Sequence, residues 1–254
     1  MNIKFPDDIH WRYWVECWDS MQERYIACRK ERFELIVRLI ADTQNTITRV
    51  LDIGCGTGSL MLSVLQKFLQ TEVYGIDFDP TLLVLAEKRL AKFGRQVHFT
   101  QTDLRAESWL QSVPVPIDAA ISATALHWLN AEHLSQLYCQ LAGILRPGGI
   151  FLNADHLCSS SPAIQTGWEK HREQMLREQK DGDAYDWDGF WQAYGRALNV
   201  DINQFRSKFT WEGSEEGLPI EWHFEKLRAC GFEAVDCFWR CDCDAIYGAI
   251  RGQN

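Results

Sequence analysis

The chain carries one segment in which β-branched and aliphatic residues run straight into a cluster of glycines, ITRVLDIGCGTG, and this segment restricts its fold more than any other. Glycines there allow a tight turn and a close approach of backbone to ligand. The following stretch, SLMLSVLQKFLQ, repeats its apolar residues at helical spacing, so the turn opens a helix N-terminus toward whatever binds. The unit reads as strand, turn, helix.

The same alternation continues downstream. TEVYGID reads as a second strand ending in Asp77, and Asp79 can cap a helix with Pro80 at its first position, stopped by Gly94. QVHFTQTD is a third strand closing at Asp103. IDAAISATALHWL is a fourth strand entering a turn, AEHLSQLYCQLAGIL the helix behind it, and GIFLNADHL the fifth strand. Strands alternating with helices argue for a parallel sheet covered on both faces. Ahead of this core, Trp11 to Ala41 reads as a helical arm of one or two helices. From Cys158 to Pro219 the alternation lapses, and WEKHREQMLREQ and GFWQAYGRAL suggest a helical cap insertion. IEWHFEKLRACGF then gives a helix broken at Gly231, and EAVDCFWRC and DAIYGAIRG pair as a terminal hairpin around Asp242. The expected organisation is one domain over 1–254, with an arm (1–45), a core (46–157), a cap (158–219) and a C-terminal helix and hairpin (220–254).

With 46% hydrophobic and 24% charged residues the composition is that of a globular protein. No apolar run is long enough to span a bilayer, and the start MNIKFPDDIHWRYW lacks a signal-peptide pattern, so a cytoplasmic protein with no membrane partner is expected. A net charge of −9 would repel a phosphate backbone, which makes nucleic acid an unfavourable partner. The nine cysteines contain no CxxC pair, and no metal site is expected. Val235, Cys237, Trp239, Cys241 and Cys243 read as one core-facing row of a strand.

A dinucleotide fold would space its glycines G-x-G-x-x-G; here Gly54, Gly56 and Gly58 fall G-x-G-x-G, with Ser59 in the third dinucleotide position. VLDIGCGTGSL resembles motif I of the class I S-adenosylmethionine-dependent methyltransferases, and AISATALHWL followed by LRPGG resembles small-molecule members related to trans-aconitate methyltransferase. The resemblance implies an α/β, Rossmann-like, doubly wound, mostly parallel seven-stranded sheet, S-adenosylmethionine as cofactor and S-adenosylhomocysteine as product. It implies that Asp77 accepts the ribose hydroxyls and that Asp103 and Leu104 lie near the adenine. Asp52, Gly54, Cys55, Gly56, Gly58, Phe78 and Ala123 complete the implied cofactor surface. Arg32, with Arg29 as its rival, would hold the cofactor carboxylate bidentately.

Methyl transfer requires chiefly that the acceptor be aligned with the methyl group and water kept out; a base is needed only if the acceptor must lose a proton. His127 and His156, following strands four and five, and Asp155 are the candidates. Seven of the eleven tryptophans lie in the arm and cap. The segment 181–191 interleaves four aspartates with Tyr185, Trp187, Phe190 and Trp191, a mixture suited to a cation, which makes N-methylation of an amine or guanidine one expectation. Trp14, Trp18, Tyr185, Asp186, Trp187 and Trp191 are the candidate substrate contacts. O-methylation of a carboxylate or phenol, a non-catalytic cofactor sensor and an NAD-dependent oxidoreductase are the alternatives. No Asn/Asp-Pro-Pro-Tyr signature or carboxylate cluster points to nucleic-acid or metal-assisted methylation.

Overall fold

The structure, a computed structural model, describes residues 5–178, 184–207 and 210–253. The element order is α1 (Trp11–Tyr25), α2 (Arg29–Thr43), β1 (Arg49–Ile53), α3 (Ser59–Lys67), β2 (Glu72–Asp77), α4 (Pro80–Leu90), β3 (Val97–Gln101), β4 (Ile117–Ala123), α5 (Ala131–Ile144) and β5 (Leu145–His156). It continues with α6 (Pro162–Glu178), α7 (Trp187–Leu198), α8 (Ile202–Arg206), α9 (Ile220–Ala229), β6 (Asp236–Cys241) and β7 (Asp244–Ile250). The strands form one sheet in the order β3-β2-β1-β4-β5-β7-β6, parallel up to β5, with β7 antiparallel between β5 and β6. The order reverses at β1 and β4, and at such a switch point the strand ends splay into a ligand crevice.

Alternation along the strands sends one set of side chains to each face of the sheet. Leu51, Ile53, Phe151, Ala245 and Tyr247 pack with α5, α9 and the buried Trp109. Val50, Ile150, Leu152 and Ile246 pack with Ile36, Val37 and Ile40 of α2 and with α3. The second half of the expected arm is therefore a layer of the sheet core. A third cluster joins α1 to α4, α7 and α8 through Trp14, Trp18, Leu85, Phe190, Trp191 and Tyr194, so arm and cap share one aromatic core.

The start of α4 follows the expected capping chemistry, and α5 starts in the same way. Asp79 accepts from the Thr81 N–H at 2.8 Å with Pro80 next to it, and Asn130 accepts from the His133 N–H at 2.8 Å. Asn130→Ala should cost about 1 kcal/mol, the usual loss for a removed cap, and a thermal melt lowered by about 2–4 °C checks it.

The hairpin departs from the expected row. A bulge between Cys237 and Trp239 shifts β6 by one residue against β7. Val235 and Cys237 consequently face the α5 side, Phe238 and Trp239 the α2 side, and Cys243 lies in the turn. Cys139 of α5 and Cys230 beyond α9 form a disulfide, a pairing that their 91-residue separation conceals in the sequence. The cap contains a third short helix, α8, in addition to the two expected. Among the described residues no helix is long and apolar enough to cross a membrane, and no cluster could hold a metal ion.

Candidate active site

The glycine turn after β1 takes its shape from close contacts. Gly54 and Cys55 donate to the Ile76 carbonyl at 2.8 and 3.0 Å, and Gly54 has φ +66°. A Cβ on Gly54 would lie 2.4 Å from the Ala125 Cβ, so only glycine fits where the turns after β1 and β4 meet. Gly56 donates to one Asp77 carboxylate oxygen at 2.7 Å, and Asp79 donates through its backbone to the other at 2.8 Å. Gly58 starts α3 at φ +73°, packed on Ala86 and Leu90, and does not line the crevice.

From this turn a cavity of about 640 Å³ runs across the strand ends to the cap. Asp52, Gly54, Cys55, Gly56, Asp77, Phe78, Asp103, Leu104 and Ala123 line it at the tips of β1 to β4, and His127 and His156 line it beyond β4 and at the tip of β5. Burial pushes Asp77 up to about 6, partly offset by its backbone donors. Burial and the neighbouring Asp77 push Asp52 up to about 8, and its Oδ2 has no hydrogen-bond partner in the protein. A carboxyl whose folded-state pKa is raised favours folding at low pH and loses that contribution as pH rises through it. Asp52→Asn should therefore raise the melting temperature of the ligand-free protein more at pH 8 than at pH 5; equal shifts in thermal scans would contradict the assignment.

These two imidazoles stand side by side with ring centroids 5.0 Å apart. His127 Nδ1 lies 2.6 Å from Asp155 Oδ1, and His156 Nδ1 lies 3.0 Å from Asp244 Oδ1. Asp155 itself is buried and does not line the cavity, which corrects its candidacy as a base. It accepts from the backbone N–H groups of Leu126, His127 and His156 and from Asn153, and these donors with the two histidines hold its pKa well below the usual carboxylate range despite burial. Its geometry makes it the orienter of His127. Asn153 continues through Tyr247 to Tyr138 and His223, whose imidazole points into the core and is lowered by burial to about 4.

Several expected contacts lie elsewhere. Arg32 is 2% exposed, donates to Asp244 at 3.0 Å and does not reach the cavity; Arg29 does. Arg29 rests on Phe33 and meets Asp19 at only 3.5 Å, and burial depresses its pKa. Asp19 also accepts from Arg89 at 3.0 Å and from the Ser59 hydroxyl at 3.1 Å, pinning α1 to the start of α3. Trp14 and Tyr185 stack in the arm–cap core, and Asp186 caps α7. Trp18, Trp187 and Trp191 do line the cavity. The Arg206 guanidinium sits 5.2 and 4.2 Å above the rings of Trp187 and Trp191, so a side chain of the protein already occupies the aromatic faces assigned to a substrate cation. Of the four aspartates in that segment, Asp181 and Asp183 lie outside the described residues.

Arg105, which no motif marked, clamps the cap onto the strand ends. It holds Asp103 through Nε and Nη2, at 2.9 and 2.6 Å, and reaches Thr210 and Glu212 of the segment returning from the cap. Glu212 in turn accepts from Asn130 and contacts His133. The Arg105 pair keeps Asp103 ionised, below its ordinary range despite partial burial.

Residues 50–149 match a family model described as a methyltransferase domain. The chain is 32% identical over 135 residues to trans-aconitate 2-methyltransferase of Azoarcus sp. (strain BH72), covering 52% of this chain and 48% of that protein. It is 36% identical over 122 residues to a probable S-adenosylmethionine-dependent methyltransferase, CRG1, of Saccharomyces cerevisiae, covering 46% of this chain and 38% of that protein. These matches span about half or less of the relatives' own length. A crystal structure of an S-adenosylmethionine-dependent methyltransferase from Clostridium acetobutylicum superposes with TM-score 0.64 at 12% identity, over 95% of this chain and 99% of that one. Residues 50–149 thus match a methyltransferase-domain model, and the fold as a whole is similar to that of the superposed structure.

Proposed function

We propose that the protein moves the sulfonium methyl group of S-adenosylmethionine to a protic atom of a small molecule. The observation that carries this reading is one cavity that has an acidic, glycine-lined side and, beside it, the Asp155-held imidazole of His127 with His156 next to it. The residues fit the cofactor. The unpartnered Asp52 Oδ2, the open space where Gly56 lacks a Cβ and the two oxygens of Asp77, whose remaining lone pairs suit a pair of ribose hydroxyls, all line the same cavity. Arg29, weakly paired and half-buried, suits an amino-acid carboxylate, with Asp103 and Leu104 for the adenine.

When bound, the cofactor supplies a methyl group open to direct displacement. The chain's own residues hold the acceptor in line, exclude water through Trp18, Trp187 and Trp191, and take a proton. His127 is the base: Asp155 fixes Nδ1, which leaves Nε2 for the acceptor. The amine reading loses its main support, because Arg206 fills the tryptophan faces.

Calorimetric titration with S-adenosylhomocysteine and with NADH, followed by incubation with methyl-labelled cofactor and a panel of acceptors, tests the proposal. We expect binding of the nucleoside thioether and label in a small molecule. Binding of the nicotinamide alone would refute it.

A further inference from the structure

The mouth of the cavity holds a guanidinium that the fold does not use. Arg172, on α6, lines the cavity and is partly buried, and among the described residues it makes no hydrogen bond and no ion pair. Other arginines at this site have roles: Arg29 faces the end given to the cofactor carboxylate, Arg105 holds Asp103 and Glu212, and Arg206 lies on its tryptophans. The nearby acids of α6 have partners of their own, Glu169 in Gln165 and Glu173 in Arg177. The adjacent His171 contacts Asp242 of the β6–β7 turn, and the charge of Arg172 acts on Asp244 and Cys243 at that same end of the hairpin.

A guanidinium presents five donors in a planar fork and cannot shed its charge, so a partly desolvated one without a partner is matched by a carboxylate, which it can bind bidentately. In the same cavity, Asp155 holds Nδ1 of His127, which leaves Nε2 for an acceptor, and His156 stands beside it with Nδ1 3.0 Å from Asp244. A base is of no use to an acceptor that is already an anion. The anion and the acceptor atom are therefore separate groups of one molecule.

Resting on the methyl-transfer reading, we infer that Arg172 anchors a carboxylate of the acceptor while His127 deprotonates a hydroxyl elsewhere on it: the substrate is a hydroxy acid, aliphatic or phenolic, methylated on its hydroxyl oxygen. In the reaction the oxygen–carbon bond forms as the carbon–sulfur bond breaks. The electron pair of the latter stays on sulfur, which becomes a neutral thioether, and the hydroxyl proton passes to His127 Nε2. The carboxylate remains a carboxylate throughout.

The test uses the full chain, methyl-labelled cofactor and matched triplets of acceptors, each a hydroxy acid, its methyl ester and the acid lacking the hydroxyl. We expect label on the hydroxy acids as a base-stable ether. Losing a hydrogen bond to a charged group should lower kcat/KM of the esters about 10- to 100-fold. Arg172→Gln should raise KM for the acid toward that of the ester and erase the preference, and Arg172→Lys should restore part of it. Affinity for S-adenosylhomocysteine should be the same in all three proteins. Label on the carboxylate as a base-labile ester, or a preference for acid over ester that survives in Arg172→Gln, would overturn the inference, as would transfer to amines or neutral alcohols alone. In each of those outcomes the methyl-transfer reading stands. Absence of label from the triplets and from a small-molecule extract would remove that reading first.

Discussion

Replacing His127 with alanine is expected to slow methyl transfer by about 10²–10⁴-fold, the range for removal of a positioned general base, with S-adenosylhomocysteine affinity unchanged. The expectation rests on geometry: Asp155 contacts Nδ1 at 2.6 Å, and the turn that carries His127 is fixed by backbone donors to the same carboxylate. Asp155→Asn should fall nearly as far, because it frees the ring to adopt the wrong tautomer. His156→Ala should do less harm, since the partner of His156, Asp244, is shared with Arg32. A His127→Ala enzyme with the wild-type rate would remove this residue from the chemistry.

Asp77→Ala is expected to weaken cofactor binding by about 1.5–3 kcal/mol, the worth of hydrogen bonds to a charged group. The variant also loses the acceptor that fixes Gly56, so the glycine turn should loosen. The pH dependence has a definite sign. Burial raises the Asp77 carboxyl to about 6, above its ordinary 3.8. The ligand-free protein binds that proton more tightly than the unfolded chain, so this group's contribution to folding is full below the unfolded value and fades as pH rises through 6. Cofactor affinity moves the other way, because only the carboxylate accepts both hydroxyls. The thermal shift caused by S-adenosylhomocysteine should thus be small at pH 5 and large at pH 7.5 in wild type, and small at both in Asp77→Ala. Affinity in calorimetry that is indifferent to both pH and mutation would dismiss Asp77.

The two predictions probe two parts of one cavity, and the fold explains their separation. β1 and β2 end in the glycine turn and Asp77, whereas β4 and β5 end in His127 and His156, on the other side of the point where strand order reverses. The cap closes over both. Arg105 ties it down beside Asp103, and the aromatic core of Trp14, Phe190 and Tyr194 ties it to the arm. Arg172 lines the cavity from α6.

Much of this was readable in advance, because local signals carry it. The period of apolar residues separates strand from helix, positive φ selects glycine at Gly54 and Gly56, and an acid after a parallel strand lands at the crevice wherever the strand sits in the sheet. These depend on neighbours in the chain, so the sequence by itself determined the doubly wound core, the antiparallel hairpin and the lining from Asp52 to Leu104. What only the tertiary structure decided depends on partners far apart. Asp244 meets His156 because antiparallel pairing sets them opposite each other, 88 residues apart, and the same carboxylate draws Arg32 away from the cavity and leaves Arg29 facing it. Arg206 claims the tryptophans by folding back from α8, and a one-residue bulge turns the cysteine row to both faces. Side-chain charges choose partners by distance in space, and distance in space becomes known only when the layers have packed.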